Sequence, residues 1–359
     1  MNQWMQADFV QDNYAFQLLF ETPTAISRHL RKSGQSLPPD HRMLQISLSS
    51  FQCLASNLEL PARFVAAIPR HFQVCGTGIR KTNSTTWDYW CLVTVRVTIP
   101  CYAQDEEHAK STAGSNQMDP FHYIHLGSAK VDIRGSHVAV YLRRHADPGR
   151  SVVVVVNLLD GRWGNVVEEP LTRVKDTLGK DSSQDHLQGP LFVLLIYLSA
   201  ILQWWNNVLW CFHKQLVMHE KSLQQVIADE TSAFSTLSKD INKHLHIMAA
   251  HLHRYNSELN RLHYILEEIM KEQICEPTDA GGHTRLVQLM SKSNVIRNFC
   301  DELERKVQNI LTLATNDRTL QAILITTQDD TSVSRQVAIQ SHELSRSMKK
   351  DSIAMKTAR

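Results

Sequence analysis

Hydrophobic positions in the C-terminal half of the chain repeat at the spacing of a helical seam. Between Lys243 and Lys271 the apolar residues follow one another at alternating steps of three and four, the heptad spacing that packs one helix against another. This pattern predicts an amphipathic helix with a helical partner, and it places charged neighbours such as Arg254 and Glu258 on a solvated face. The seam consists of Leu245, Met248, Leu252, Tyr255, Leu259, Leu262, Leu266 and Ile269.

A second apolar stripe supplies that partner. The range 291–359 contains neither Gly nor Pro, and its first half has apolar residues at steps of three and four. At 1.5 Å per residue such a helix reaches about 90 Å, so the pattern predicts a stalk rather than a core helix. Pro277, Gly281 and Gly282 separate the two helices, which indicates an antiparallel hairpin whose second arm extends past the first. The stripe consists of Ile296, Phe299, Leu303, Val307, Ile310 and Ala314.

In the N-terminal half the hydrophobic period is two, which is typical of strands with one buried face. Val93, Val95 and Val97 alternate with Thr94 and Arg96. The pattern predicts a strand that buries its valines and exposes the two polar side chains.

Further signals complete an α+β fold. The alternation in 138–142 predicts another strand, and the almost continuous Val and Leu of 151–159 predict a central strand covered on both faces. The range 43–47 has the pattern of a short strand, while 50–60 and 61–72 have the pattern of short helices. The predicted fold is therefore a mixed sheet flanked by helices and followed by a long helical hairpin.

Composition divides the chain into four parts. The strand signals stop before residue 190, and the range 191–273 contains neither Gly nor Pro. We expect an N-terminal segment 1–40, a sheet domain 41–189, amphipathic and heptad helices in 190–276, and the stalk helix 283–359.

The range 190–211 contains no formally charged residue and is long enough to span a bilayer. On a helical wheel, however, its polar residues Gln203, Asn206 and Asn207 gather on one side. That segregation favours an amphipathic helix packed on the sheet, because two adjacent Asn side chains are costly in lipid. A single membrane span is the alternative.

Charge and cysteine content argue against a nucleic-acid-binding protein and against a disulfide-bonded secreted protein. The 359 residues include 38 Lys and Arg against 36 Asp and Glu, and no basic run is long enough to indicate nucleic-acid binding. The seven cysteines include no Cys-x-x-Cys pair, which is typical of thiols in a reducing compartment. The first residues show no secretory signal pattern, so we expect a cytoplasmic location.

Few residues suggest catalysis or metal binding. Asp105, Glu106 and Glu107 lie in a predicted loop, where they form either a weak cation site or a solvated turn. The glycines of 76–78 and 161–164 lack the Lys-Ser/Thr of a phosphate-binding loop and are interpreted as turns. No nucleophile motif is present, so we expect no enzyme. Metal-binding spacing is also absent from a group of histidines expected on a solvated helix face, namely His244, His246, His251, His253 and His263.

Three stretches of the chain match the pattern of one known family. The first lies within 44–72 and includes Ser50-Phe51, Pro61 and His71-Phe72; the second is Val138-Ala139-Val140-Tyr141, ahead of a strand at 151–156. The third and most specific is the string from Lys349 to Thr357, with Asp351, Ser352, Met355 and Lys356. Together they resemble the fungal CorA-like proteins.

The resemblance implies an intracellular α/β/α domain joined to a stalk helix, in a superfamily of divalent-cation channels that assemble as pentamers. It makes magnesium or another divalent cation the implied ion. In the family the third string directly precedes the first membrane span and a Gly-Met-Asn tripeptide forms the pore mouth. Here the sequence ends at Arg359 and contains no such tripeptide. We therefore expect the cytoplasmic domain and stalk without the pore.

The expected function is the regulatory or assembly domain of a CorA-like divalent metal cation transporter. Such a chain would act as a homo-oligomer, associated with a membrane through spans outside this sequence. The heptad seam together with Leu303, Val307 and Ile310 would form the oligomer or stalk contacts. Two alternatives stay open: a soluble coiled-coil interaction protein derived from this fold, and a single-pass membrane protein anchored by 190–211.

Overall fold

A computed structural model describes most of the sheet and the long helices. The described residues are 9–11, 14–19, 48–68, 76–81, 86–100, 116–120, 123–144, 151–157, 164–179, 191–229, 234–272 and 280–327. The predicted strand at 43–47 lies outside them.

The described elements alternate between strands and helices, and three long helices end the described part of the chain. The strands are β1 Phe9–Gln11, β2 Tyr14–Leu19, β3 Thr77–Lys81, β4 Trp87–Pro100, β5 Ile124–Leu126, β6 Val131–Arg144 and β7 Ser151–Asn157. The helices are α1 Leu48–Asn57, α2 Ala62–Ala67, α3 Gly164–Gly179, α4 Phe192–Asp229, α5 Phe234–Lys271 and α6 Ala280–Thr327, with short 3-10 turns at Asn116–Met118 and Gly127–Ala129.

The seven described strands form one mixed sheet in the order β1-β2-β7-β6-β4-β3, with β5 paired to β6. Strands β2 and β7 are parallel, and the other described pairs are antiparallel. With the helices around it, this sheet confirms the predicted α+β class. Strand β7 lies between β2 and β6, and Val153 to Val156 are at most 1% exposed. The predicted central strand is therefore confirmed.

Strands β1 and β2 were not predicted. Residues 15–19 pair with 152–156 of β7, so the N-terminal segment supplies the neighbour of the central strand. The segment is too short and too mixed in composition for its hydrophobic period to indicate a strand.

The turn predicted at 76–78 is wrong, because Thr77 and Gly78 begin strand β3. Gly78 lies opposite Trp90 of β4, and a Cβ atom at Gly78 would overlap the Trp90 indole ring. The glycine thus permits close approach of an aromatic ring within a strand.

Helix α4 forms the core between the sheet and the hairpin. Leu198, Ile201 and Trp205 are fully buried, whereas Gln203 and Asn207 are exposed. The predicted segregation of apolar and polar faces is confirmed. Within the described residues, the part of α4 from Phe192 to Gln224 is long and apolar enough to cross a membrane, but 78% of its most apolar window is buried in the fold. Core helices of folded domains meet the same length and composition criteria.

Helices α5 and α6 form the predicted antiparallel hairpin, since residues 256, 260 and 263 bond to residues 301, 297 and 293 in reverse order. At 1.5 Å per residue, the 48 residues of α6 extend about 70 Å. One continuous hydrophobic core runs from the sheet through α4 into both arms of the hairpin. The range 328–359 lies outside the described residues.

Candidate functional site at the sheet–hairpin junction

A buried ion pair joins the sheet to the hairpin. Arg96 of β4 donates from Nε to Glu258 Oε2 at 2.9 Å and from Nη2 to Glu258 Oε1 at 2.7 Å. The two side chains are 0% and 2% exposed. This two-pronged geometry is the strongest arrangement available to an arginine and a carboxylate. Because the charges have lost their water, the pair holds β4 and α5 in one relative position.

Gly135 of β6 makes room for the arginine. It lies directly opposite Arg96 in the pairing of β4 and β6. A Cβ atom at Gly135 would lie 2.6 Å from Arg96 Nη1 and 2.8 Å from Cζ. The guanidinium therefore occupies the space above a residue without a side chain.

Tyr255 forms another wall of the site. The Arg96 guanidinium lies over the Tyr255 ring at 4.9 Å, within the range of a cation–π contact. Trp205 and Phe212 of α4 meet the same ring edge-on, at 5.4 and 5.5 Å between centroids. Strand, core helix and hairpin all meet at this one tyrosine.

The Glu258 carboxylate is hydrogen-bonded to two arginines at the junction. Arg254 Nε also donates to Glu258 Oε1, at 2.9 Å, so two guanidinium groups share it. Burial is the largest single effect on the pKa of Arg96 and lowers it, but the charge and hydrogen bonding of Glu258, together with Tyr255 and Asp119, outweigh burial, so the pKa is raised. Arg96 stays charged at every physiological pH, and it needs Glu258 to remain buried.

His251 links the junction to the 3-10 turn Asn116–Met118. Its Nε2 lies 2.9 Å from the carbonyl oxygen of Gln117, which can only accept, so Nε2 carries the proton. Its Nδ1 lies 3.2 Å from the Tyr255 hydroxyl, which then donates to it. Burial lowers the pKa of His251 to about 4, and the positive charge of Arg96 contributes to the shift. The imidazole is therefore neutral at pH 7.

Polar side chains fix the register of α5 against α6. The Asn256 amide donates to Asp301, and the His263 ring lies 3.2 Å from the Ser293 hydroxyl. Polar groups within a helical seam specify one register, because a shift would leave the buried His263 and Ser293 without partners. The further cross-links are Asn256 to Glu304 at 3.4 Å, Arg297 to Asn260 at 2.7 Å and the Cys300 thiol to the Leu252 carbonyl at 3.7 Å.

The side chains of this junction hold the sheet and the hairpin together and do not form a reactive or metal-binding group among the described residues. Burial raises the pKa of the Cys300 thiol to about 12, so it is not a reactive thiolate. Among the described residues, no group of three or more His, Cys, Asp or Glu side chains could hold a metal ion. The junction ties the sheet, through α5, to the C-terminal helix.

The residues predicted as an oligomer or stalk seam all lie inside the single chain. Each of Leu245, Met248, Leu252, Tyr255, Leu259, Leu262, Leu266 and Ile269 is at most 1% exposed, and Leu303, Val307 and Ile310 are buried as well. Of the other candidates, Asp105, Glu106 and Glu107 lie outside the described residues. So do the family-motif residues Asp351, Ser352, Met355 and Lys356.

The predicted exposure of five polar residues is wrong. Thr94 of β4 and His263 of α5 are 3% and 9% exposed, and the other three are buried as well. Those three are Glu258 and His251, which were expected on a solvated helix face, and Arg96, which was expected with Thr94 on the exposed face of a strand. Residues 88–97 of β4 are covered on both faces, since Val95 and Val97 are buried too. The sequence signal was weak: an arginine among valines and a glutamate beside a seam are ordinary surface patterns.

The variant Gly135→Ala tests whether the structure can accommodate a side chain beside the Arg96 guanidinium. We expect Gly135→Ala to lower the free energy of unfolding by about 1–3 kcal/mol, because the added Cβ displaces a guanidinium pinned by two hydrogen bonds. Urea unfolding of the full chain measures this change.

Gly127→Ala is the matched control. A Cβ atom at Gly127 would meet its nearest neighbour, His125 Nε2, at 3.7 Å, which is an ordinary contact. Equal midpoint shifts for the two variants would contradict the close approach at Gly135.

Comparison with known proteins gives likenesses of structure but none of sequence. No protein-family model matches the chain, and no curated protein sequence matches it. The soluble domain of CorA from Methanocaldococcus jannaschii is similar at a TM-score of 0.45 and 9% identity, over 74% of this chain and 83% of that one. The ZntB cytoplasmic domain from Vibrio parahaemolyticus reaches 0.45 at 8% identity, over 88% and 91%. The complete CorA magnesium transporter from Methanocaldococcus jannaschii reaches 0.43 at 10% identity, over 79% and 73%.

Proposed function

We propose that the chain is the cytoplasmic regulatory and assembly part of a CorA-like divalent metal cation transporter. The string from Lys349 to Thr357 supports the family, because it resembles the sequence that closes the stalk helix in that family. The order of elements, sheet, core helix and long hairpin, agrees with what the resemblance implies. The proposed assembly is a homo-oligomer, a pentamer by resemblance, located at the cytoplasmic side of a membrane.

One observation supports this proposal above the others. The Arg96–Glu258 pair connects β4 to α5, and Asn256 connects α5 to Asp301 of α6 within the same two helical turns. A change in the sheet is therefore transmitted to the last long helix without an intervening loose loop. A regulatory domain that acts on a stalk needs this rigid coupling.

Because the heptad seam is buried within one chain, it is not available for contacts between copies of the chain. Since the heptad residues have their partners within one chain, contacts between copies would use the outer faces of the long helices. Large apolar side chains are exposed there at Trp210, Tyr264, Val287 and Val295. In the proposed oligomer a divalent cation, magnesium first, binds between copies and favours one of two helix arrangements.

Magnesium should stabilise the folded chain if it binds between copies. A ligand at a hundredfold excess over its dissociation constant adds about 2.7 kcal/mol to the unfolding free energy. We therefore expect the melting temperature and the mass of the assembly, measured by sedimentation, to rise together with millimolar MgCl₂.

Potassium chloride at equal ionic strength is the control, because it reproduces screening without a divalent ion. A melting temperature that stays flat in magnesium would overturn the transporter proposal. It would favour the alternative of a soluble coiled-coil interaction protein, whose stability would respond to a partner's helix instead.

A further inference from the structure

A relay of two hydrogen bonds connects α4 to the turn between β5 and β6. The backbone N–H of Ser128, in the 3-10 turn Gly127–Ala129, donates to Gln215 Oε1 at 2.9 Å. The Gln215 amide nitrogen lies 3.0 Å from Nε2 of His219, one helical turn further along α4. Gln215 and His219 are 8% and 7% exposed, so water cannot easily replace the bond between them, whereas Ser128 lies on the exposed turn.

The chemistry of the relay fixes the protonation state of the histidine. A backbone N–H can only donate, so the side-chain oxygen of Gln215 must face Ser128. The NH₂ group of Gln215 therefore faces His219 and donates to Nε2. Because Nε2 accepts, His219 is neutral and its proton lies on Nδ1.

Protonation of His219 is incompatible with this arrangement. A proton on Nε2 would point at the NH₂ group of Gln215, and two donors would face each other. Rotating the Gln215 amide by 180° would satisfy His219, but it would turn the NH₂ group towards the Ser128 N–H. Either way one bond of the relay is lost.

We propose that Ser128, Gln215 and His219 form a proton-sensitive latch that holds the β5–β6 turn on α4 and releases it when His219 is protonated. The latch is part of the fold itself and does not depend on the proposed transport function.

The turn that the latch holds is a tight one. Lys130 ends it in the left-handed region, with φ of 54°, and its N–H donates to the Gly127 carbonyl at 3.2 Å. A non-glycine residue in this conformation is strained and requires support from its surroundings. Losing the Ser128 bond removes one such support.

Charged and titratable groups from several elements surround the latch. The His244 ring of α5 lies 5.8 Å from the His219 ring, and His125 Nδ1 of β5 lies 2.9 Å from Asp132 Oδ1 of β6. The other charged neighbours are Asp240 and Lys243 beside His244, Arg134 on Asp132, and the ion pair between Lys306 of α6 and Glu220 of α4.

Burial, and then the nearby His244, lowers the pKa of His219 to about 4. A histidine freed from the latch regains its ordinary pKa of about 6.5. Between these two values the open form binds a proton that the closed form does not. The opening equilibrium therefore rises about tenfold for each unit of falling pH, and about 300-fold in total.

Hydrogen exchange at the Ser128 amide measures the opening directly. In the full chain, after correction for intrinsic exchange, we expect Ser128 protection to fall about tenfold per pH unit between pH 6 and pH 4.5. The Val154 amide of the central strand serves as a reference for global unfolding. In His219→Gln, which cannot titrate, the slope at Ser128 should disappear, whereas the control His253→Gln at an exposed position should retain it.

Two results would overturn the latch. One is an unchanged Ser128 slope in His219→Gln. The other needs no variant: nitrogen chemical shifts of labelled histidine in the unmodified chain at pH 7 report the tautomer, and a proton on Nε2 of His219 contradicts the relay. The second measurement decides the question even if the variant fails to fold.

Discussion

Replacing Glu258 with alanine is expected to lower the free energy of unfolding by about 3–5 kcal/mol, because it leaves a buried arginine without the carboxylate to which it is hydrogen-bonded. Arg96 is 0% exposed, and both of its bonds to Glu258 would be lost. Arg254 would lose the same partner. Denaturant unfolding of the full chain, followed by circular dichroism, gives the change.

Two further variants distinguish the contribution of the ion pair to stability from the effect of removing any glutamate from this helix. Glu267→Ala on the same helix removes a carboxylate that is 53% exposed, so we expect a change within about 1 kcal/mol. The double variant Arg96→Met, Glu258→Met removes both charges, and it should recover most of the stability lost in Glu258→Ala. A double variant as unstable as the single one would show that packing, and not charge, dominates at this site.

A lysine at Ile201 should prevent the chain from folding. Ile201 is fully buried in α4, and placing an unpaired ammonium group there costs several kcal/mol, in addition to about 2–5 kcal/mol for the lost apolar contacts. The sum is comparable to the entire stability of a typical domain, about 5–15 kcal/mol. We expect Leu198→Lys, at an equally buried position, to behave alike. Soluble yield and circular dichroism after expression measure the outcome.

Asn207→Lys is the control on the opposite, exposed face of α4, where a lysine should change stability by less than about 0.5 kcal/mol. The same variants test the alternative of a membrane anchor. If 190–211 spans a bilayer, Ile201→Lys would release a folded chain from washed membranes into the supernatant. Loss of folding with no such released form would remove that alternative.

Long periodic segments could be predicted from the sequence. The seam from Leu245 to Ile269 and the Val-rich run of β7 were recognisable because each repeats one period over many residues. Strand β2 could not be predicted, since its six residues acquire their place only by pairing with β7. Gly78 was interpreted as part of a turn. The structure shows that a glycine is needed there to make room for the Trp90 ring, which belongs to the neighbouring strand.

The candidate site was not predictable. Arg96 and Glu258 are separated by 162 positions, and each has the local context of a surface residue. Only the close approach of β4 to α5 makes them a pair. Gln215 and Ser128 are separated by 87 positions and present the same difficulty.

The sequence by itself determined the long helices with their apolar stripes and the valine-rich strands, because these depend on a residue periodicity that repeats along the chain. Only the tertiary structure decided which polar groups are buried together and which partner covers each apolar face. The heptad seam illustrates the difference: its pattern required a helical partner, and the fold supplied α6, α4 and the sheet from within the same chain. Burial depends on contacts between distant residues, which a local pattern does not contain.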